Sequence, residues 1–347
     1  MGGAQADEHT LTAIVETVTR NVARNTYAPR VKNLVKWLGF RTGLSPALSR
    51  LSLSKRAFVI TYHKVERRPA GPFGAPALDV ATFGEHVDFL ARNYELVPLS
   101  VLVDGLRTGR APDRAVALTF DDGYRNNLVL AYPVLRKHHV PATIFVTAGL
   151  VGTRGWMWAS ELCEVALRFG LRELGVAAGD PLFAALMEAD LPEALRVEAG
   201  IEYLLRIGQA HRRALIDRVR GRYPVEPDDE NAFLSWDEVR ALHAAGVEIG
   251  SHTLTHPVLT DLTEEEVERE LLGSREAIAE HIGARPRLFC YPHGTFSDRV
   301  KQLTGRYYGA AVSTVPGDNT PATDPLEIRR IAAFTVEDLS FELARPR

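Results

Sequence analysis

The apolar run Ala115-Val116-Ala117-Leu118 leads into Thr119-Phe120-Asp121-Asp122-Gly123-Tyr124, and this stretch limits the fold more than any other. The run reads as a buried strand. Neighbouring side chains on a continuing strand point to opposite faces, so two adjacent carboxylates gather at one place only if the chain turns. Gly123 supplies that turn. The pair then stands at the mouth of a sheet or barrel, where α/β folds bind ligands. Asp-Asp-Gly is also ordinary turn chemistry, so other parts of the chain must decide between a site and a solvated turn.

Other strands follow the same plan. Ala57 to Tyr62 is apolar and β-rich and runs into His63. Ala142 to Val146, Val247 to Ser251, Arg287 to Tyr291, Ala310 to Thr314 and Leu326 to Ala333 read as further strands. Between them lie amphipathic helices: one opened by Thr82, one over 129–138, one behind the capping box Ser235/Glu238, and one from Thr263 to about Ile282. Strands alternating with helices predict an α/β fold with a parallel sheet or barrel. Residues 150–233 break the rhythm; rich in Ala, Leu, Arg and Glu, they read as a helical insertion within a domain spanning 55–347. Residues 1–54 read as an N-terminal helical appendage. Their amphipathic basic stretch, 31–53, either covers an end of the domain or makes peripheral contact with a membrane.

Composition excludes several classes. A net charge of -3 over 347 residues gives no basic excess for nucleic acid. Two cysteines, Cys163 and Cys290, do not make a disulfide framework. No 18-residue apolar run is present. The N-terminus lacks a basic and then apolar leader pattern, so the expected location is the cytoplasm, or its membrane face through 31–53.

Several strands end in groups able to do chemistry: His63, Asp121 with Asp122, His252 with His256, and His293. Convergence from separate strand ends is what a barrel site requires. In Ser251-His252-Thr253-Leu254-Thr255-His256-Pro257, histidines four apart share one face of a single helical turn, so both rings reach one metal ion. Two histidines and one carboxylate make a three-ligand centre with open positions, the pattern of catalytic zinc. One aspartate of the pair is then a ligand, and the other is left to take a proton from water. Zn2+ suits the donors; Co2+, Ni2+ and Mn2+ are the alternatives.

Thr119-Phe120-Asp121-Asp122-Gly123, the His252/His256 motif and Tyr291-Pro292-His293-Gly294 together resemble the polysaccharide deacetylase family (NodB-homology domain, carbohydrate esterase family 4). The resemblance covers about 57–150 and 234–335. It implies a distorted (β/α)7 barrel and metal-dependent N-deacetylation of N-acetylglucosamine-type residues, with an N-acetylated glycan as partner. It makes Asp121 the catalytic base and Asp122, His252 and His256 the metal ligands. The third motif offers a backbone N–H, that of His293, to an oxyanion. Three departures stand out: Cys290 occupies the place of a family arginine, no histidine follows His293 to act as the usual acid, and the insertion between Asp122 and His252 is unusually long. Tyr62-His63-Lys64-Val65 resembles the opening of a rearranged subgroup that includes poly-N-acetylglucosamine deacetylases, which implies that His63 is the acid. Arg330, or its neighbour Arg329, is then the candidate to orient Asp121. The alternative functions are another metal-dependent hydrolase of non-peptide C–N bonds, and a catalytically silent carbohydrate-binding protein.

Overall fold

The computed structural model describes Thr42 and residues 56–67, 77–333 and 335–344. The expected appendage and its basic stretch at 31–53 therefore lie outside the described residues, Thr42 apart. The described chain falls into two compact units, 156–227 and the remainder.

The larger unit is a parallel sheet rolled into a nearly closed barrel of seven strands. In chain order they are β1 (Phe58–Tyr62), β5 (Ala115–Phe120), β6 (Ala142–Val146), β7 (Glu248–Ser251), β8 (Leu288–Cys290), β9 (Ala310–Pro316) and β10 (Ile328–Arg330), and they pair in that order. Closure comes from Ile331 just past β10, which bridges to Ile60 and exchanges backbone hydrogen bonds with Thr61 and Val59 at 3.0 and 2.8 Å. A two-residue strand, β4 (Glu95–Leu96), adds to the start of β5, and β2 (Lys64–Glu66) pairs with β3 (Ala77–Asp79) apart from the barrel.

Period-two alternation divides the packing. Val116, Leu118 and Phe120 of β5, with Phe58, Ile60 and Tyr62 of β1, pack outward in one cluster with Phe83, Val87 and Leu90 of α1 (Val80–Asn93). Ala115 and Ala117 share a second cluster with Ala57, Val59, Phe145, Leu288, Cys290, Ala310, Val312 and Ile328, which fills the barrel, and Leu102 and Leu106 of α2 (Leu99–Thr108) join it. Small residues here make room for large ones: a Cβ on Gly250 would lie 2.4 Å from the Phe145 ring. The inward column of β5 therefore runs Ala115, Ala117, Thr119 and on to Asp121.

The helices mostly follow the predicted caps. Ser235 and Glu238 form a capping box on α9 (Trp236–Ala244), and Thr263 and Glu266 form one on α10 (Glu264–Ile282). Thr82 does not open α1; Asp79 does, accepting from the Ala81 and Thr82 N–H groups, three residues earlier than expected. The segment expected as one helix over 129–138 is a π-helical turn, Asn127–Ala131, followed by α3 (Tyr132–Lys137).

The smaller unit holds five helices among its described residues: α4 (Trp158–Phe169), α5 (Leu171–Ala178), α6 (Pro181–Glu188), α7 (Glu193–Arg206) and α8 (Gln209–Arg222). Its own core gathers Leu162, Leu174, Phe183, Leu186, Leu204 and Leu215. Buried Asp180 caps α6 and accepts the Tyr203 hydroxyl at 3.1 Å. Among the described residues no helix is long and apolar enough to cross a membrane. The chain continues through α11 (Asp298–Tyr307) and ends, within the described range, in α12 (Val336–Ala344).

Candidate active site

Asp121 crowns the inward column of β5, with its N–H donating to the Tyr62 carbonyl at 2.9 Å. The Arg330 guanidinium grips it with two parallel bonds, Nη1 to Oδ1 and Nη2 to Oδ2, both 2.7 Å. Arg330 also donates to the Ser313 carbonyl at 2.8 Å and lies 3.3 Å from Thr119 Oγ1 and from Cys290 Sγ. Both partners are buried. Burial alone would raise the Asp121 carboxyl; the guanidinium outweighs it and holds the group well below the usual carboxylate range. Strand alternation settles the choice between the two arginines. Ile328 and Arg330 are inward, whereas Arg329 is exposed.

Asp122 turns away from its neighbour because its backbone is left-handed, with φ 73°. Gly123 follows at φ 81° and packs so tightly that a Cβ would lie 3.1 Å from the Val146 side chain. The released carboxylate faces the second motif: Oδ1 is 3.4 Å from His252 Nε2 and 3.6 Å from His256 Nε2, and the two Nε2 atoms are 3.2 Å apart. His252 Nδ1 lies 2.8 Å from the Cys290 carbonyl, which can only accept, so Nδ1 carries a hydrogen and Nε2 is the nitrogen left to face Asp122.

The two histidines are not on a helical turn, as their spacing predicted. Thr253 and His256 have φ 66° and 60°, left-handed values that no α-helix contains. A β-branched residue in that conformation is strained, at a typical cost of about 1–3 kcal/mol. Loop bonds replace helical ones: the His256 N–H donates to Thr253 Oγ1 at 2.9 Å, and the Ala148 N–H donates to the Thr253 carbonyl at 3.0 Å. The rings converge all the same.

His63 comes from the end of β1, with Nε2 3.7 Å from Asp121 Oδ2, close but beyond hydrogen-bond range. The Tyr291–Gly294 segment is a tight turn with His293 at φ 57°. Gly294 is required there: its φ is 67°, and a Cβ would lie 1.9 Å from Thr314 Oγ1. The His293 ring stands 4.6 Å from that of His256, centroid to centroid. His63, Asp121, Asp122, His252, His256, His293 and Arg330 therefore converge at one set of strand ends.

The donor set fits a metal cation. Tetrahedral coordination with bonds of about 2.0–2.1 Å separates donor atoms by about 3.3 Å, close to the spacings among Asp122, His252 and His256. Two imidazole nitrogens 3.2 Å apart share either one hydrogen, as an N–H···N bond, or a metal ion. Burial lowers His256 well below the ordinary histidine range, with His293 and His252 adding to the effect, so the ring is neutral and one of its nitrogens has a lone pair to offer. A second grouping, Asp121, His252 and Cys290, is also close. It fits poorly: Asp121 is held by Arg330 on both oxygens, and burial keeps the Cys290 thiol protonated.

The sequence family model described as polysaccharide deacetylase matches residues 108–309, more than half of the chain. The chain belongs to the polysaccharide deacetylase family. Chitin deacetylase 1 of Cryptococcus neoformans is 36% identical over 64 residues, 18% of this chain and 14% of that protein, so the match spans a small part of its relative. Two solved structures share the barrel. The Streptococcus pyogenes deacetylase PplD, solved with acetate, aligns over 84% of this chain and 99% of its own at TM-score 0.57 and 18% identity. A de-N-acetylase from Aggregatibacter actinomycetemcomitans aligns over 80% and 94% at TM-score 0.53 and 18% identity.

The site also rests on residues that sequence reasoning passed over. Asn127 Nδ2 donates to the His63 carbonyl at 2.9 Å and fixes the end of β1. Asn126 lies beside it, 3.1 Å away through Oδ1, and accepts weakly from the Val65 N–H at 3.4 Å. Two amides placed directly after the Asp-Asp-Gly turn were the available signal. Glu270, on α10, bonds the loop between the histidines; a glutamate on a polar helix face carries no such signal.

Proposed function

We propose that this protein is a metal-dependent N-deacetylase that removes acetyl from an N-acetylglucosamine-type residue of a glycan and releases acetate. The observation that carries this reading is the division of the aspartate pair: Asp121 is locked to Arg330, and Asp122 is turned to two histidines. Asp122, His252 and His256 would hold the ion, with Zn2+ best suited to one carboxylate and two imidazoles. The ion supplies Lewis acidity, polarising the acetamide carbonyl and lowering the pKa of water. Asp121, ionised and oriented by Arg330, accepts a proton as water attacks the carbonyl carbon. The His293 backbone N–H donates to the developing oxyanion. His63, as imidazolium, gives its proton to the nitrogen while the C–N bond breaks, so the amine leaves neutral and acetate remains.

Names borne by the relatives support an acetylated sugar: one is a chitin deacetylase, one a de-N-acetylase, and one a deacetylase solved with acetate. The Tyr62-His63-Lys64-Val65 opening favours a poly-N-acetylglucosamine type of glycan over other amides. An acetate-release assay on acetylated chito-oligosaccharides, lipid-linked sugars and nucleotide sugars, with metal analysis of the same sample, tests the proposal. One equivalent of metal and loss of a single acetyl mass are expected, and chelation should abolish release. Metal-free protein with no hydrolysis would favour the silent carbohydrate-binding alternative.

His63→Ala should lower the deacetylation rate about 10²–10⁴-fold, the usual worth of a positioned acid, with metal content unchanged. A substrate with a good leaving group, such as an acetanilide with an electron-poor ring, should regain part of that loss, because its nitrogen needs less help to leave. Near-normal kinetics on the glycan would remove His63 as the acid.

A further inference from the structure

The loop that carries both histidines is held by one side chain of α10. Glu270 Oε2 accepts the Leu254 N–H and the Thr255 N–H, both at 2.8 Å, and Oε1 accepts the Thr255 hydroxyl at 2.6 Å. These donors lie midway between His252 and His256, in the segment flanked by the left-handed residues Thr253 and His256. No helix or strand supplies acceptors for those two amides, so an ionised carboxylate does.

One turn along the same helix, Ser274 bonds Ser251 through their hydroxyls at 2.7 Å, and Tyr308 backs Ser274 at 3.1 Å. Residues 270 and 274 share a helix face. Helix α10 therefore pins the chain directly before His252 through Ser274, and the middle of the loop through Glu270. Val267, Leu271 and Ile278 anchor that helix in the core. The backbone bonds of Ala148 and Gly149 to the Thr253 and Leu254 carbonyls, at 3.0 and 2.8 Å, secure the opposite side.

We infer that Glu270 is a positioning residue for the metal centre: its carboxylate holds the His252–His256 loop in the strained conformation that aims both Nε2 atoms at Asp122. The inference rests on the proposal that these three residues bind a metal. Without Glu270, the left-handed residues can relax toward ordinary backbone angles, and the two rings no longer share a target. Ligands left to find their geometry on binding pay the ordering cost at that moment, and affinity falls.

The test compares wild type with Glu270→Ala and Glu270→Gln, each stripped of metal and titrated with Zn2+ against a chromophoric chelator, then with Co2+ followed by its visible absorption. Glu270→Ala should weaken Zn2+ binding about 10- to 100-fold, the scale on which groups supporting ligands act. It should also shift or weaken the Co2+ bands, while the metal-free melting temperature stays near that of wild type. Glu270→Gln, which can accept with one atom only, should fall between the two. Equal Zn2+ affinity and identical Co2+ spectra in all three proteins overturn the inference while leaving the metal centre standing. If Glu270→Ala does not fold, Glu270→Gln decides: weakened binding supports the inference, and unchanged binding overturns it. A wild-type protein that takes up neither ion fails the parent proposal itself, a result visible before any variant is made.

Discussion

Asp121→Asn should cut deacetylation about 10²–10⁴-fold, the range for a lost general base, and keep its metal. Asp122→Asn should lose the metal, with an affinity at least about 100-fold weaker, and its activity should fall to background. The residues are adjacent, yet a single left-handed φ of 73° at Asp122 sends them to different partners. Asp121 has both oxygens turned to Arg330, whereas Asp122 has Oδ1 facing two imidazoles. Metal content by mass spectrometry and initial rates of acetate release, measured on the same preparations, read the two effects separately. Metal loss from Asp121→Asn would exchange the two roles. A rate loss under tenfold in Asp121→Asn with metal in place would mean that His63, 3.7 Å away, carries both proton transfers. That outcome has a physical motive, since the guanidinium that orients Asp121 also makes it a weaker base.

What could be read from the sequence follows from how local each feature is. The apolar runs and caps are local, and β6 and α10 lie where periodicity and capping residues place them. The site residues were legible because barrel strands deliver their ends to one place, so a polar residue after an apolar run is informative before its partners are known. Geometry set by distant contacts was not legible. The spacing of His252 and His256 suggested a helical turn; what converges the rings is a strained loop whose amides are satisfied by a glutamate further along the chain. The choice between Arg329 and Arg330 was within reach: counting alternation from the apolar Ile328 turns Arg330 inward. Its partner was anticipated too: the missing family arginine pointed to Asp121, and Arg330 bonds both oxygens of Asp121; what shows only in three dimensions is that Cys290 leaves the space the guanidinium occupies.

That exchange is the basis for the second large effect. Arg330→Met should destabilise the metal-free protein by about 3–5 kcal/mol, the cost of leaving one member of a buried ion pair without its partner. The melting temperature should fall by about 10 °C. The buried Asp121 carboxylate, rather than the missing guanidinium, carries the penalty. In wild type its folded-state pKa is depressed, so its stabilising contribution is present above the unfolded value of about 3.9 and fades as pH falls through the folded value. In the variant, burial is opposed only by His63 and His252 and raises the group relative to wild type, so its penalty is largest at neutral pH and lessens as the carboxyl takes up a proton. The stability deficit should therefore narrow on acidification when the two proteins are melted side by side. Catalysis should fall as well, since Asp121 loses the fork that fixes its plane. The decisive comparison is the double variant Arg330→Met with Asp121→Asn. Removing both charges should restore part of the stability lost in Arg330→Met, because no uncompensated ion remains, although neither single change helps. It should restore none of the activity. Additive losses in the double variant would show that the two charges are not coupled, and Arg330 would then have no claim to hold Asp121 for the reaction.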